Sequence, residues 1–243
     1  MEEGQTLYIY GIIPVEEVVQ ASLAPFETFS NDQFAVVYTD KGITYEEYYQ
    51  VLSRLHSTFT LLPMPYGTMY SSLAECENVL HTYKEQIEEK HRLIKGRDEW
   101  TFIIYTDDSA WEYMMDERYP EIERQYKELE ELPAGERFFE KKKIEKTVVE
   151  AIEMEKAKVC QRLHMELMAI SDGYIELDLL SRQESGLTDD MVWHGTYLIS
   201  CQSAEGLVQM VDEWSIELKS LGIMPECKGP FPAVTFAKLP EQF

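Results

Sequence analysis

Two runs of apolar and aromatic residues near the start of the chain predict β-strands. The first extends from Leu7 to Ile13 and ends at Pro14, and the second extends from Phe34 to Thr39, just before Lys41-Gly42. Both runs are rich in the β-branched and aromatic residues that fit a sheet, and proline and glycine are typical of the turns that end strands. We therefore expect the chain to open with two strands.

Apolar residues at helical spacing follow these strands. Thr44 and Glu47 have the spacing of a capping box, which predicts the start of a helix that stops at Pro63. The apolar stripe of this helix is Tyr48, Val51, Leu52, Leu55, Phe59 and Leu62. A short piece from Tyr66 to Tyr70 precedes a second stripe, which predicts one continuous helix closed at Lys95-Gly96. Its members are Leu73, Cys76, Leu80, Tyr83, Ile87, His91 and Ile94.

The pattern farther along the chain predicts a long helix. Glu99 to Thr106 is expected to form a strand, and the acidic segment 107–132 is expected to be helical in part, until Pro133-Ala134-Gly135 breaks it. An apolar stripe then runs from Phe138 to Ile170. Its positions are Ile144, Val148, Ile152, Val159, Leu163, Leu167 and Ile170.

Two neighbouring strands and a helix are expected next. Asp172-Gly173 is expected to turn the chain into a strand from Tyr174 to Leu180, and Met191 to Cys201 is the next strand, joined to it by a longer hairpin loop. Ser203 can cap the following helix, and Gly222 can close it.

A final strand around Ala233 to Lys238 completes the order strand, long helix, strand, strand, helix, strand, which is the ferredoxin-like order. The first part of the chain gives a related but less complete α+β layer. At 243 residues the chain has the length of two domains. We therefore predict an α+β fold in which residues 1–97 form the smaller α+β domain. Residues 98–243 form a modified ferredoxin-like (βαββαβ) domain with an acidic helical insertion around 107–135.

The charge of the chain excludes several kinds of partner. Acidic residues outnumber basic ones by 45 to 22, which gives a formal net charge of -23. Because a surface of this sign repels phosphate groups, we expect no nucleic acid and no anionic membrane as partner. No apolar run approaches the ~18 residues of a membrane span. The first residues lack the pattern of a secretory signal, and four scattered cysteines favour reduced, buried thiols in a cytoplasmic protein.

Common signatures of catalysis and metal binding are absent from the sequence. It contains no glycine-rich nucleotide loop, no nucleophile elbow, no H-E-x-x-H and no C-x-x-C. His91 falls on an apolar stripe, where a hydrogen-bonded core histidine is a better interpretation than a ligand. Cys160 and His164 have the i, i+4 spacing of half a zinc site, but no second half is visible. We expect a protein that is not an enzyme and has no catalytic residue, cofactor or metal.

Three clusters combine proline or glycine with aromatic or other apolar residues. They are Leu62 to Thr68, Gly96 to Trp100 and Gly229 to Pro232. Turn chemistry explains most of their composition, because proline fixes φ and glycine admits positive φ. The apolar residues beside the prolines could equally form an exposed docking patch. The candidates for a partner surface are Pro63, Tyr66, Phe231 and Pro232. The candidates for an ion pair that staples the two domains are Arg97 and Glu99.

At these clusters the sequence resembles the gas vesicle GvpF/GvpL family. The similar segments, in order, are LYIYGI at Leu7, LLPMPYGTMY at Leu61, IKGRDEWTFIIY at Ile94, AGERFFEKKK at Ala134 and GPFPAVTFAKLP at Gly229. The resemblance covers essentially the whole chain and leaves the choice between the F and L branches open. It implies two α+β domains, the second a modified ferredoxin-like one. It also implies a cytoplasmic accessory protein that contacts the small hydrophobic shell protein GvpA and other accessory gas vesicle proteins, and it carries over no catalytic residue.

Two hypotheses for the function follow. The first is an accessory or minor structural protein of gas vesicle assembly, which binds GvpA and other gas vesicle proteins and is itself associated with the vesicle. The alternative is a ligand-binding regulatory module with a ferredoxin-like domain, since a fold does not decide a function. The alternative requires a concave pocket with converging polar groups.

Overall fold

The computed structural model describes residues 6–20, 26–107, 120–186 and 188–239. Helices and two β-sheets are mixed along the chain, as the sequence predicts. The chain divides into two units. The first comprises Met1–Trp100, Tyr197–Ala204 and Lys228–Phe243, and the second comprises Thr101–Thr196 and Glu205–Cys227. The boundary between residues 97 and 98 stays a prediction, because this division does not show which segments fold independently.

The sheet of the first unit is built around the strand at the start of the chain. Its strands are β1 (Leu7–Pro14), β2 (Glu27–Ser30), β3 (Phe34–Thr39), β4 (Leu62–Pro63) and β5 (Met69–Tyr70). The order is β2-β3-β1-β4, and β5 also pairs with β1. All the pairings in this sheet are antiparallel. The predicted strands β1 and β3 are therefore confirmed and lie side by side.

Gly11 allows β4 to approach β1 closely. It pairs with Pro63, and the register between β1 and β3 shifts between Ile9 and Gly11. A Cβ atom added to Gly11 would lie 2.6 Å from both the Leu61 Cδ1 atom and the Leu62 carbonyl oxygen. Because a backbone atom is one of the two, a side chain at this position would displace β4 itself.

The helices of the first unit pack their apolar stripes against this sheet. They are α1 (Val15–Gln20), α2 (Tyr45–His56), α3 (Leu73–Thr82) and α4 (Lys84–Ile94). The predicted capping box is confirmed: Thr44 accepts from the Glu47 backbone, and the Glu47 carboxylate accepts from the Thr44 backbone at 2.8 Å. Such a cap stabilises a helix start by about 1 kcal/mol. The positive φ of Gly96, at 68°, agrees with the predicted helix stop at Lys95-Gly96.

Two predictions about these helices are wrong in detail. α2 ends at His56 and does not continue to Pro63. Phe59 and Leu62 are buried all the same, because Phe59 lies in the turn after the helix and Leu62 pairs with Ile12 in the sheet. The second stripe is divided between α3 and α4 at Tyr83, whose backbone (φ −106°, ψ 20°) is not helical. The spacing of apolar residues indicates which positions are buried, and buried positions can continue beyond the end of a helix.

The second sheet is built from strands in the order β7-β8-β6-β9. The strands are β6 (Arg97–Thr106), β7 (Ser171–Glu176), β8 (Asp190–Ser200) and β9 (Ile223–Phe231). The helices that accompany them are α5 (Pro120–Leu129), α6 (Ala134–Met168), α7 (Arg182–Ser185) and α8 (Ala204–Leu218). Residues 108–119, part of the segment predicted to be an acidic helical insertion, lie outside the described residues. The predicted neighbours β7 and β8 are adjacent.

The predicted long helix is confirmed as α6, which has 35 residues. It begins at Ala134 with Pro133 as its N-terminal cap. Pro133 of the predicted break therefore precedes the helix, whereas Ala134 and Gly135 are its first two residues. Ile144, Ile152 and Leu163 lie on its buried face. Glu166 accepts a hydrogen bond from the Trp214 indole of α8 at 3.0 Å, which fixes the two helices against each other.

Two strand predictions in this part are corrected. β7 already begins at Ser171, so Asp172 and Gly173 lie within the strand and do not turn the chain into it. The last strand is Ile223–Phe231, whereas the predicted strand Ala233 to Lys238 is a turn, closed by the Ala237 N–H donating to the Ala233 carbonyl at 2.9 Å. Ala233 and Ala237 are buried, which explains the apolar pattern. The true strand contains prolines, which an edge strand such as β9 tolerates.

Candidate functional site

Three exposed tyrosines form a continuous aromatic surface on the first unit. Tyr45 and Tyr49 lie one turn apart at the start of α2, and Tyr66 lies in the loop between β4 and β5. Their exposed fractions are 60%, 36% and 45%. The ring centroid of Tyr45 is 4.6 Å from that of Tyr49 and 5.3 Å from that of Tyr66. We call these three side chains the tyrosine patch.

A buried tyrosine supports the patch from beneath. Tyr48 is 1% exposed, and its hydroxyl donates to the Met64 carbonyl oxygen. The centroid of its ring lies 5.3 Å from that of Tyr49 and 5.5 Å from that of Tyr66. The Tyr66 hydroxyl in turn donates to the Ile43 carbonyl at 3.1 Å. The rings are therefore held by both the helix and the loop.

The patch combines neutral rings with nearby carboxylates. A hydrogen bond with the Tyr45 side chain, followed by burial, raises the pKa of Tyr49 to about 12, so its phenol stays protonated at neutral pH. Burial raises the pKa of Tyr48 even further. Hydrogen bonds from the Thr44 backbone and hydroxyl lower the pKa of Glu47, which keeps this carboxylate ionised. Such a surface suits an apolar or weakly polar partner.

The four residues predicted to contact a partner have different environments. Tyr66 lies in the patch, and Phe231 is exposed at the end of β9. Pro63 is buried in β4, and Pro232 is also buried. In this structure the rings of these two prolines therefore offer little surface to a partner. The roles of all four in partner binding stay predictions.

Arg97 and Glu99, the predicted staple, each fasten a segment of the first unit. The Arg97 guanidinium donates to the Leu93 carbonyl at 2.9 Å and so caps the end of α4. The buried Glu99 carboxylate accepts from the Thr235 backbone at 2.7 Å and from its hydroxyl at 2.6 Å. Glu99 therefore holds the turn that replaces the predicted final strand. A role of the two residues between the units stays a prediction.

A polar cavity of about 550 Å³ lies elsewhere in the first unit. Within it the His56 Nε2 atom is 2.8 Å from the Asp98 Oδ1 atom. Partial desolvation, and then the charge and hydrogen bond of Asp98, raise the pKa of the Cys201 thiol. A thiol in this state is a poor nucleophile at neutral pH. Cys201 is exposed, contrary to the expectation of buried thiols, whereas Cys76 and Cys160 are buried.

Two further predictions concern possible metal ligands. His164 packs against Tyr174 and Trp193, with ring centroids 4.6 and 5.0 Å away, and Cys160 is buried beside it on α6. Both residues therefore have packing roles. Over the described ranges, no group of three or more His, Cys, Asp or Glu side chains could hold a metal ion.

The second unit exposes a different pair of aromatic rings. Phe138 and Phe139, on the second turn of α6, are 57% and 67% exposed, and their ring centroids are 5.7 Å apart. The Lys142 ammonium lies 5.0 Å from the Phe138 ring centroid. We call the side chains of Phe138 and Phe139 the phenylalanine pair. The sequence analysis proposed neither this pair nor Tyr45 and Tyr49 as a partner surface, although aromatic residues off the apolar stripe of a helix are a usable signal.

Comparisons with known proteins agree on one family. The family model described as "Gas vesicle synthesis protein GvpL/GvpF" matches residues 6–238. The crystal structure of the gas vesicle protein GvpF from Anabaena sp. PCC7120 superposes with a TM-score of 0.68 at 22% identity, covering 97% of this chain and 99% of that one. The crystal structure of GvpF from Microcystis aeruginosa superposes with a TM-score of 0.65 at 19% identity, covering 97% of this chain and 100% of that one.

These similarities show the fold and the family. At these identities the two crystal structures establish that the chain has the fold of GvpF. A search among curated proteins finds no match. None of the helices in the described ranges is both long enough and apolar enough to cross a bilayer. The family model spans nearly the whole sequence, and the predicted resemblance is confirmed. The chain belongs to the GvpL/GvpF family of gas vesicle synthesis proteins.

Proposed function

We propose that this protein is an accessory or minor structural protein of gas vesicle assembly that binds the hydrophobic shell protein GvpA and other gas vesicle proteins. Its family supports a role in gas vesicles. The observation that carries the binding proposal is the tyrosine patch, because it exposes contiguous aromatic rings that the fold holds in place.

Tyrosine is well suited to hold an apolar subunit temporarily. Its ring buries a large apolar area, while its hydroxyl can still bond to water or to a backbone group. Aromatic residues are enriched at the centres of protein interfaces and carry much of their binding energy. Because the rings of Tyr45, Tyr49 and Tyr66 already pack on one another, binding immobilises little that was free.

The charge of the chain complements this surface. A hydrophobic shell subunit aggregates in water through its exposed apolar area. The net charge of -23 would keep a complex of the two proteins dispersed by mutual repulsion. We propose that the protein captures shell subunits in this way in the cytoplasm, before or during polymerisation, and is associated with the vesicle.

The finer description of the fold belongs to the same proposal. The order β7-β8-β6-β9 and the helices that follow β6 and β8 support a modified ferredoxin-like domain. The strands and helices of the first unit support a separate α+β layer. In this arrangement the tyrosine patch belongs to the first domain, which would be the part that binds the shell protein.

Copurification tests the proposal directly. The full chain and a Tyr45→Ala, Tyr49→Ala, Tyr66→Ala variant are each mixed with GvpA fused to a solubility partner. We expect the triple variant to bind at least about tenfold more weakly, because it lacks the central rings. The matched control is Ile216→Ser, since Ile216 is 79% exposed on α8 of the second unit and should not matter.

Two results would oppose the proposal. If the unmodified chain binds neither GvpA nor any other gas vesicle protein, the function is wrong. If it binds and the triple variant binds equally well while keeping its circular dichroism spectrum, the function stands but the tyrosine patch is not the contact surface.

A further inference from the structure

A shallow groove lies on the exposed face of α2, beside the tyrosine patch. It has a volume of about 670 Å³ and is lined by Tyr45, Glu46, Tyr49, Gln50 and Ser53. All five side chains are exposed. They differ in this from His91, a buried core histidine as predicted, whose ring nitrogens have no hydrogen-bond partner among the residues that the structure describes. A partner that covers the patch can therefore contact every side chain of the groove.

Two aromatic rings belong to the lining of the groove. The rings of Tyr45 and Tyr49 are inclined by 57° to each other, with centroids 4.6 Å apart. The face of an aromatic ring attracts a guanidinium or ammonium group within about 6 Å of its centroid. The same helix already provides such a contact elsewhere, because the Arg54 guanidinium lies 5.4 Å from the ring centroid of Phe26. The rings of the groove are thus suited to a cation.

Glu46 supplies the charge of the groove. Its carboxylate accepts from the Gln50 amide at 3.3 Å, and no basic side chain of the described residues forms an ion pair with it. The neighbouring Glu47 is engaged in the capping box with Thr44. The start of a helix carries a partial positive charge of about half a unit, which the two carboxylates together outweigh. No basic residue lines the groove either, so a cation would meet attraction there and no repulsion.

We propose that this groove binds the guanidinium of an arginine side chain that the partner presents beside its apolar surface. A guanidinium is planar, so it can stack on an aromatic ring while its N–H groups donate to a carboxylate. In the groove its face lies against Tyr45 or Tyr49, and its N–H groups donate to Glu46. This role of the groove rests on the proposed function, since the arginine belongs to the protein that the tyrosine patch binds.

Two fluorescently labelled peptides test whether the groove distinguishes a cation. One carries a single arginine flanked by leucines, and the other carries citrulline in its place, which has nearly the same shape but no charge. We expect the full chain to bind the arginine peptide at least about fivefold more tightly in fluorescence anisotropy, the effect of an exposed cation–π contact together with an exposed ion pair. The preference should shrink as salt is added, because both charges are open to solvent.

Three variants show whether the preference arises in the groove. Glu46→Gln removes the charge and should reduce the preference for arginine over citrulline to about twofold or less. Tyr49→Leu keeps an apolar side chain without an aromatic face and should reduce the preference as well. Glu85→Gln is the matched control, since Glu85 is an exposed glutamate in the first turn of α4 and its loss changes the net charge equally. This variant should keep the preference of the unmodified chain.

Three outcomes would overturn the inference. The first is that the unmodified chain binds the two peptides equally, or binds neither up to the solubility limit, a test that does not depend on any variant folding. The second is that Glu46→Gln and Glu85→Gln have the same effect on the preference. The third is that a folded Tyr49→Leu protein keeps the full preference.

Copurification with GvpA separates these results from a failure of the proposed function. A chain that binds GvpA but does not prefer arginine has the function without this use of the groove. A chain that prefers the arginine peptide but binds no gas vesicle protein has the groove without the function.

Discussion

The tyrosine patch and the phenylalanine pair both expose aromatic rings near the start of a helix, but they are built differently. The patch rests on the buried Tyr48, and Tyr66 is anchored to the Ile43 carbonyl. Phe138 and Phe139 contact each other, and the side chain of Lys142 lies over one of them. The pair is the more exposed of the two surfaces.

The difference shows that exposure alone is a weak guide to a binding surface. A side chain that is free in solution loses about 0.5–1.5 kcal/mol of entropy when a partner immobilises it. The fold has already ordered the tyrosine rings, whereas a ring on one helix face retains more freedom. We therefore expect the patch to contribute more binding free energy per ring than the pair, although the residues of the pair are on average the more exposed.

The largest expected effect is the loss of the support beneath the patch. Tyr48→Ala removes a fully buried aromatic side chain and leaves a cavity, so the free energy of unfolding should fall by about 3–5 kcal/mol. Urea denaturation measures this loss. Phe138→Ala is the comparison and should change stability by less than about 0.5 kcal/mol. Similar losses in both variants would mean that the two surfaces do not differ in support.

The next effect concerns binding to GvpA. Tyr45→Ala with Tyr49→Ala should weaken binding by about 2 kcal/mol, because it removes two ordered rings from the surface. Phe138→Ala with Phe139→Ala should weaken binding by less than about 1 kcal/mol. Calorimetry with the soluble GvpA fusion gives both values. If the phenylalanine variant loses more affinity, the pair is the main contact and the comparison is reversed.

A smaller effect appears at alkaline pH. The folded-state pKa of Tyr48 is raised by burial, so the stability linked to its protonated phenol is complete below pH ~10 and is lost as pH rises through the higher folded value. Tyr48→Phe removes the titration and the bond to the Met64 carbonyl, and it should cost about 1 kcal/mol at pH 7.

The check on this effect is the pH dependence of urea unfolding from pH 8 to 12. The stability of the unmodified chain should fall more steeply above pH 10 than that of Tyr48→Phe. Buried thiols such as Cys76 contribute to both curves, because burial raises their pKa values as well. Parallel curves would show that Tyr48 does not titrate differently in the folded protein.

The smallest effect is expected at the phenylalanine pair. Lys142→Ala removes an exposed ammonium over the Phe138 ring, an interaction that contributes about 0.5–1 kcal/mol at most on a surface. Thermal unfolding should therefore change little, and binding to GvpA should be unchanged. A clear loss of affinity would show that the lysine orders the pair for a partner. The two surfaces would then differ less in how well their rings are ordered.

Much of the fold could be predicted from local pattern. β1 and β3 have the predicted residues, and the capping box at Thr44 is formed as predicted, because alternation, composition and capping are properties of neighbouring residues. The ends of helices and strands were harder to predict. Phe59 and Leu62 extend the stripe of α2 because both are buried, yet neither belongs to the helix. Burial is set by tertiary packing, which spacing along the chain does not resolve.

The candidate site could be predicted only in part. Tyr66 was identified from its proline-rich loop, but its neighbours Tyr45 and Tyr49 come from a helix about twenty residues earlier. The fold brings them together through the bond between Tyr48 and the Met64 carbonyl. No spacing pattern along the sequence predicts that contact. The same reasoning predicted that Pro63 belongs to a partner surface. Pro63 is instead buried in β4.

A substitution at Gly11 should disturb the tyrosine patch indirectly, through β4. A side chain at that position would meet the Leu62 carbonyl and push β4 away from β1. Met64 follows β4 directly, and its backbone amide donates to the Tyr10 carbonyl at 2.9 Å while its carbonyl accepts from the Tyr48 hydroxyl. If the proposed function is right, substitutions of the buried Gly11 should impair gas vesicle formation as substitutions in the tyrosine patch do, although Gly11 itself is not at the surface.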